Sequence, residues 1–505
     1  MQFKKIITAA LAGLLVACGG DGGMGTSDGH ELRWTSRAAE AVVAGQTQIV
    51  VNSDAGDFVG QGRTYTYTQA DAIIKVQADG GELAVRIEGD ESWAANFALP
   101  NSQGTFSPGS FLNLTRYPFH DPAVGGLQWS GDGRSCNTVT GSFRVNTAEY
   151  VGSELIAIDL DFVQHCEGET PALYGNIRWL ASDTTRPPGP IRPVPDALWA
   201  PDAAAMPAAG NFVYLESEAG EHLGGGTRFL YTPRNAALSV SSSSNLIGVA
   251  VNGDEVWAGR FKAMQGLPRM RPGWYGDLER YPFQNPADAG MDWSGNGRSC
   301  SWIHGWFAID EITYVDGRMT TLDMRFEQDC NDAGRLRGRI RWSVDDDTVA
   351  PGPLRNPPPR LWRPPAAATP ASGNYVFLHS LPGDVVGEGV DRLVTSGISA
   401  AVIGRELHVS TGTGSGVFSA MDSIRRIRPG YYGVLQRYPI HNPAKGGISW
   451  GASVRQCDVL DGWVVIDDIR YDVLGLLKAV DMRFFQRCAG STAPLRGAVH
   501  WVRSW

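Results

Sequence analysis

The sequence predicts an all-β protein: three tandem antiparallel β-sandwich domains, with a jelly roll as one form of the sandwich, joined by Pro-rich linkers. Three observations lead there. Apolar and polar residues alternate with period two, as in Leu322, Met324, Phe326, Gln328 and Cys330 against Asp323, Arg325, Glu327 and Asp329, the pattern of a half-buried strand. Runs with the 3.6-residue period of a helix are scarce; Ala38 to Val43 and Asp202 to Ala205 offer at most a short turn. A set of residues also returns three times at almost constant spacing, which marks an array of similar units.

The repeat is read from its fixed points. Six cysteines fall as Cys136 and Cys166, Cys300 and Cys330, Cys457 and Cys488, with separations of 30, 30 and 31 residues. Arg116-Tyr117-Pro118, Arg280-Tyr281-Pro282 and Arg437-Tyr438-Pro439 each begin 20 residues before the first cysteine of a pair, and Trp129, Trp293 and Trp450 lie 7 before it. Each unit closes on a tryptophan, at Trp179, Trp342 and Trp501. The units therefore span 32–182, 196–345 and 359–505. Each is large enough to own a hydrophobic core. The repeated spacing selects one cysteine pairing out of the possible ones, a disulfide within each unit. A loop of this length contributes about 3.5 kcal/mol in the chain-entropy account.

In chain order, residues 1–17 begin with Lys4 and Lys5, followed by the apolar run Ile6 to Ala17. That run is too short to cross a bilayer and suits a signal segment. It ends Leu15-Val16-Ala17-Cys18, which resembles the lipobox of bacterial lipoproteins. The resemblance implies that Cys18 is lipidated and becomes the mature N-terminus. Gly19 follows where inner-membrane retention would favour Asp, so an outer-membrane, lipid-anchored location is expected, on the periplasmic face or the cell surface. Residues 18–31 are Gly-rich and polar, as a flexible tether requires. Residues 183–195 and 346–358 are Pro-rich and read as semi-rigid spacers that hold the units apart. Within the units, Gly305 to Asp310 and Gly462 to Asp467 read as strands paired in a hairpin with the cysteine-bearing strand. Gln164, Gln328 and Gln486 fall on the core face of that strand. A buried amide needs partners; the backbone of the Arg-Tyr-Pro loop is the expected one, a buried ligand the alternative.

The combination of Arg116-Tyr117-Pro118-Phe119-His120-Asp121-Pro122, Gly131-Asp132-Gly133-Arg134-Ser135-Cys136 and His165-Cys166-Glu167-Gly168 resembles a Cys-paired β repeat domain of bacterial secreted and surface proteins. The resemblance implies domain type and location and carries no activity.

Composition and motifs narrow the function. A net charge of −9 over 505 residues argues against nucleic acid as a partner. No zinc-protease, serine-hydrolase, phosphate-loop or dinucleotide motif occurs, and no cofactor or metal is expected. The position of His120 and His441 is Gln284 in the second unit, and Gly131-Asp132-Gly133 becomes Gly295-Asn296-Gly297 there, which suits a tight turn better than a calcium ligand. Asp159, Asp323 and Asp481 recur without a second recurring carboxylate. The aromatic turns are more suggestive. Gly89-Asp90-Glu91-Ser92-Trp93 and Gly253-Asp254-Glu255-Val256-Trp257 place carboxylates beside an indole; the first reading is that the ring closes the core, the second that it stacks on a sugar. The candidate ligand residues are Trp93, Asp90, Glu91, Trp257, Asp254 and Glu255. The expected function is a non-catalytic cell-envelope lipoprotein, attached to the membrane by its anchor and acting as an interaction or spacer protein toward an envelope protein or glycan. The alternatives are a carbohydrate-binding protein and a hydrolase with one active copy.

Overall fold

The computed structural model describes residues 45–452 and 455–503, all within the compact unit Val42–Trp505. The first repeat has ten strands: β1 (Gln48–Ser53), β2 (Thr64–Thr68), β3 (Ile73–Asp79), β4 (Glu82–Glu88), β5 (Ser92–Ala98), β6 (Gly109–Arg116), β7 (Gly126–Gly131), β8 (Val139–Val151), β9 (Glu154–Cys166) and β10 (Ala172–Leu180). They form one sheet in the order β2-β1-β10-β9-β8-β6-β7-β5-β4-β3, and the other two repeats reproduce that order strand for strand. The expected all-β class and tandem repetition are therefore present. Each unit is a curled ten-stranded sheet. Helix among the described residues is confined to two three-residue 3₁₀ turns, Ala203–Ala205 and Ala366–Ala368. Asp202 caps the first by accepting from the Ala204 amide.

The curl follows from the period-two pattern. Along β9, Leu155, Ile158, Leu160, Phe162, Gln164 and Cys166 are buried on the inner face. Rings from the two halves of the sheet then meet inside it. Phe97 on β5 packs on Phe143 of β8 with centroids 5.4 Å apart, and Trp129 on β7 stacks on Phe162 of β9 at 4.9 Å. The equivalent hairpin of the second repeat turns at Asp316-Gly317, both at positive φ (49° and 76°), the two-residue turn whose twist matches that of paired strands.

The seam between the two halves explains the buried glutamines. β6 and β7 run parallel and pair through only two residue pairs, Thr115 with Gly126 and Arg116 with Leu127. Beyond that point the strands diverge and the backbone of β7 loses its neighbour. The Gln164 side chain takes that neighbour's place. Its Oε1 accepts from the Trp129 amide at 2.7 Å, and its Nε2 donates to the Trp129 carbonyl at 3.0 Å. Gln328 does the same for Trp293 at 2.8 and 2.9 Å, and Gln486 for Trp450 at 2.7 and 3.0 Å. The partner is thus the tryptophan strand, not the Arg-Tyr-Pro loop expected from sequence. The amide offers both an acceptor and donors, so it can replace a backbone peptide; its nitrogen also donates to the sulfur of Cys136, Cys300 or Cys457 in its own repeat.

The disulfides are Cys136–Cys166, Cys300–Cys330 and Cys457–Cys488, one per repeat, as the spacing predicts. The Pro-rich segments do not hold the units apart. Ile191 and Trp274 exchange backbone hydrogen bonds, as do Leu354 and Tyr431, so each segment adds a short bridge to the strand equivalent to β6 in the repeat that follows. Farther along, Arg325 donates to the Trp199 carbonyl and Arg483 to that of Trp362. The linkers are seated on protein because these arginines and strand ends offer partners for backbone that would otherwise face water.

Candidate functional site

The turn between β4 and β5 carries the sugar-stacking candidates of the first repeat. Its indole lies inside the fold: Trp93 is 2% exposed and Trp257 1%. A chain of hydrogen bonds fixes each ring. Trp93 Nε1 donates to the Tyr67 hydroxyl at 2.6 Å, and that hydroxyl donates to Glu91 Oε2 at 2.7 Å. In the second repeat Trp257 donates to Tyr231 and Tyr231 to Glu255, both at 2.8 Å. Burial and the adjacent carboxylates hold both tyrosines protonated, above the ordinary phenol range. The guanidinium of Arg134 covers the Trp93 ring at 5.7 Å from its centroid. These two tryptophans therefore offer no face on which a sugar could stack, and the expectation of a platform at Trp93 and Trp257 is corrected. A ring of that size contributes more as buried area than as an exposed surface, and Tyr67 and Tyr231 supply the polar partner that lets its N–H be buried.

The Gly-Asp-Gly element braces the same turn. Asp132 Oδ1 accepts from the Ser92 amide at 3.1 Å, and Asn296 Oδ1 accepts from the Val256 amide at 3.0 Å. Both residues have positive φ, 48° and 52°, and Asp and Asn tolerate that conformation better than most residues. Asp and Asn both serve this brace because it uses one side-chain oxygen; Asp132 also accepts from Arg134 through its other oxygen, at 3.5 Å.

Asp90 and Asp254 have a different role. They face the following repeat. Asn285 Nδ2 donates to the Asp71 carbonyl at 2.9 Å and to Asp90 Oδ1 at 3.0 Å. Asn442 Nδ2 donates to the Asn235 carbonyl at 2.7 Å and to Asp254 Oδ1 at 3.1 Å. At this second joint Gln436 Nε2 and Lys445 Nζ also donate to Asp254. Partial burial raises the Asp254 carboxyl, but Lys445, Asn442 and Gln436 outweigh it and hold it below the usual carboxylate range. At the first joint the places of Gln436 and Lys445 belong to Glu279 and Asp288. There, burial together with Asp90, Glu279, Asp71 and Asp277 pushes Asp288 up. One joint is closed by a cation and the other gathers carboxylates.

The remaining candidates do not converge. Asp159 accepts from Asn146 and Asn176, Asp323 pairs with Arg339 and Arg341, and Asp481 pairs with His500. His120 and His441 each lie against a glycine of the following strand, Gly126 and Gly447, as Gln284 does against Gly290. Among the described residues no three His, Cys, Asp or Glu side chains are grouped as metal ligands would be. Cys18 lies outside the described residues. The joint residues Asn285, Asn442, Gln436 and Lys445 were not singled out from sequence, although Asp121, Asn285 and Asn442 share one place in the repeat. Comparison with protein-family models, with curated proteins and with solved structures finds no match.

Proposed function

We propose that the chain is a non-catalytic lipoprotein of the cell envelope, tethered through Cys18, whose three repeats form a docked spacer that presents its surface to other envelope components. The observation that carries this reading is where the recurring polar groups are spent. Gln164, Gln328 and Gln486 bond the core strand, Glu91 and Glu255 bond the tyrosine under their own turn, and Asp90 and Asp254 bond the next repeat. Groups that recur in an enzyme or lectin array would converge on open space; these converge on the fold. The lipid anchor rests on Leu15-Val16-Ala17-Cys18 and the Gly-rich residues after it. Firm anchoring requires more than one acyl chain.

The test is membrane fractionation with fatty-acid labelling in a bacterial host. The intact chain should carry label and sediment with the outer membrane. Cys18→Ser should carry none and should accumulate as precursor. Label on the Cys18→Ser protein, or wild-type protein free of both label and membrane, overturns the reading.

A further inference from the structure

The residue two places before an alanine in the Arg-Tyr-Pro loop makes the same local turn in every repeat. Asp121 Oδ1 accepts from the Ala123 amide at 2.9 Å, Asn285 Oδ1 from Ala287 at 2.8 Å, and Asn442 Oδ1 from Ala444 at 2.9 Å. This turn uses one side-chain oxygen, so aspartate serves it as well as asparagine, and Asp121 demonstrates that it does. The amide nitrogen of asparagine is not needed for the loop's own turn. In Asn285 and Asn442 it is spent entirely across the joint, on the backbone carbonyl and the carboxylate of the preceding repeat.

The distribution of the two halves matches. Asn285 and Asn442 are 7% and 0% exposed, whereas Asp121, in the repeat with none before it in this chain, is exposed. The carboxylate half occurs in the first two repeats, as Asp90 and Asp254. In the third the corresponding turn is shorter. The second repeat closes its turn by pairing Asn252 with Val256, with Gly253-Asp254-Glu255 between them, while the third pairs Thr411 with Gly414, with only Gly412 and Thr413 between them and no carboxylate. Donor and acceptor are thus both present wherever two repeats meet; the first repeat lacks the donor at Asp121 and the third lacks the acceptor at its shortened turn.

We propose that this asparagine–aspartate pair is a docking code. The Arg-Tyr-Pro loop of a repeat recognises the Asp-bearing turn of another repeat of the same kind, which fixes the order of the array, and Asp121 together with the shortened Thr411–Gly414 turn closes both ends to a second copy of the chain. Asp121 in the donor position would set a carboxylate against any Asp-bearing turn, and like charges in contact repel. The Thr411–Gly414 turn of the third repeat holds no carboxylate in the place of Asp90 and Asp254. The inference does not depend on the lipid anchor.

The experiment uses the full chain and hydrogen exchange read by peptide. Asn442→Asp keeps the local turn, as Asp121 does, but sets a carboxylate against Asp254 and the Asn235 carbonyl. Exchange should rise at least tenfold in the turns around Asn235 and Asp254 and in 441–446, while the strand Leu477–Cys488 keeps its protection. Asn285→Asp should open the first joint in the same way, and Asp121→Asn should change neither. Wild-type exchange at the joint in Asn442→Asp overturns the code. So does loss of protection in Leu477–Cys488, because asparagine would then be required by the repeat itself. In sedimentation over a hundredfold concentration range the wild-type chain should stay free of head-to-tail association. Concentration-dependent protection of 117–125 overturns the closure of the ends.

Discussion

Replacing Gln328 by glutamate tests the seam with almost no change of shape. The carboxylate retains an acceptor for the Trp293 amide but loses the donor that meets the Trp293 carbonyl, now 2.9 Å from Gln328 Nε2. The side chain is fully buried, at 0% exposure. A carboxylate there, facing a carbonyl oxygen, will take up a proton, and the resulting O–H restores the missing donor. The cost at pH 7 is then that of protonating a group whose ordinary value is about 4.3, roughly 2.7 pH units at 1.36 kcal/mol each, or about 3.7 kcal/mol. The sign is fixed by linkage. The folded state binds this proton more tightly than the unfolded chain, so stability is fully present below the unfolded value and is lost as pH rises through the folded value. Gln328→Glu should therefore be near wild type at pH 4 and about 3.7 kcal/mol weaker at pH 7. Three linked repeats do not guarantee two-state unfolding, so the readout is the opening free energy from hydrogen exchange of the strand Gly290–Gly295, with Gly447–Gly451 in the same molecule as the internal standard. A penalty below about 0.5 kcal/mol at pH 7, the range of a surface substitution, or an equal penalty at both pH values, would refute the account of glutamine as a surrogate backbone partner.

Tyr231→Phe should destabilise the second repeat by about 1–3 kcal/mol, the cost of leaving the buried Trp257 N–H without an acceptor; a thermal melt of the full chain followed by exchange at Val256–Lys262 checks it, and an unchanged repeat would mean the indole has another partner. Replacing Cys300 and Cys330 by alanine together should cost about 3.5 kcal/mol by the loop-entropy account, measured by exchange in Arg318–Cys330; non-reducing peptide mapping of the parent should return no bond between repeats. Acid should act oppositely on the two joints. Asp254, held low by Lys445, Asn442 and Gln436, contributes stability present above the unfolded carboxylate value and lost as pH falls through its own lower one. Asp288, raised by burial and by Asp90, Glu279, Asp71 and Asp277, favours its joint below the unfolded value and loses that contribution as pH rises through its higher one. Exchange near Asp90 should therefore slow, and exchange near Asp254 quicken, as the solution is taken down through the carboxylate range, after correction for the intrinsic rate.

The sequence alone determined what depends on period and spacing. Alternation along Leu322 to Cys330 decided strand and face, because side chains on a pleated strand must point to opposite sides. The recurrence of cysteines at 30, 30 and 31 residues decided the disulfides, because each pair lies within one folding unit. The tertiary structure decided what depends on who faces whom. Whether two halves of a β unit join into one sheet rests on two residue pairs at Thr115 and Arg116, too few to leave a pattern in the chain. The Asp-Glu-x-Trp turn reads as a core cap but leaves a sugar platform open. Tyr67 and Tyr231, distant in sequence, decide for the core by accepting the indole N–H. Asp121, Asn285 and Asn442 look like neutral exchange at one loop position until the preceding repeat is in place, because the oxygen serves the loop and only the nitrogen serves the neighbour.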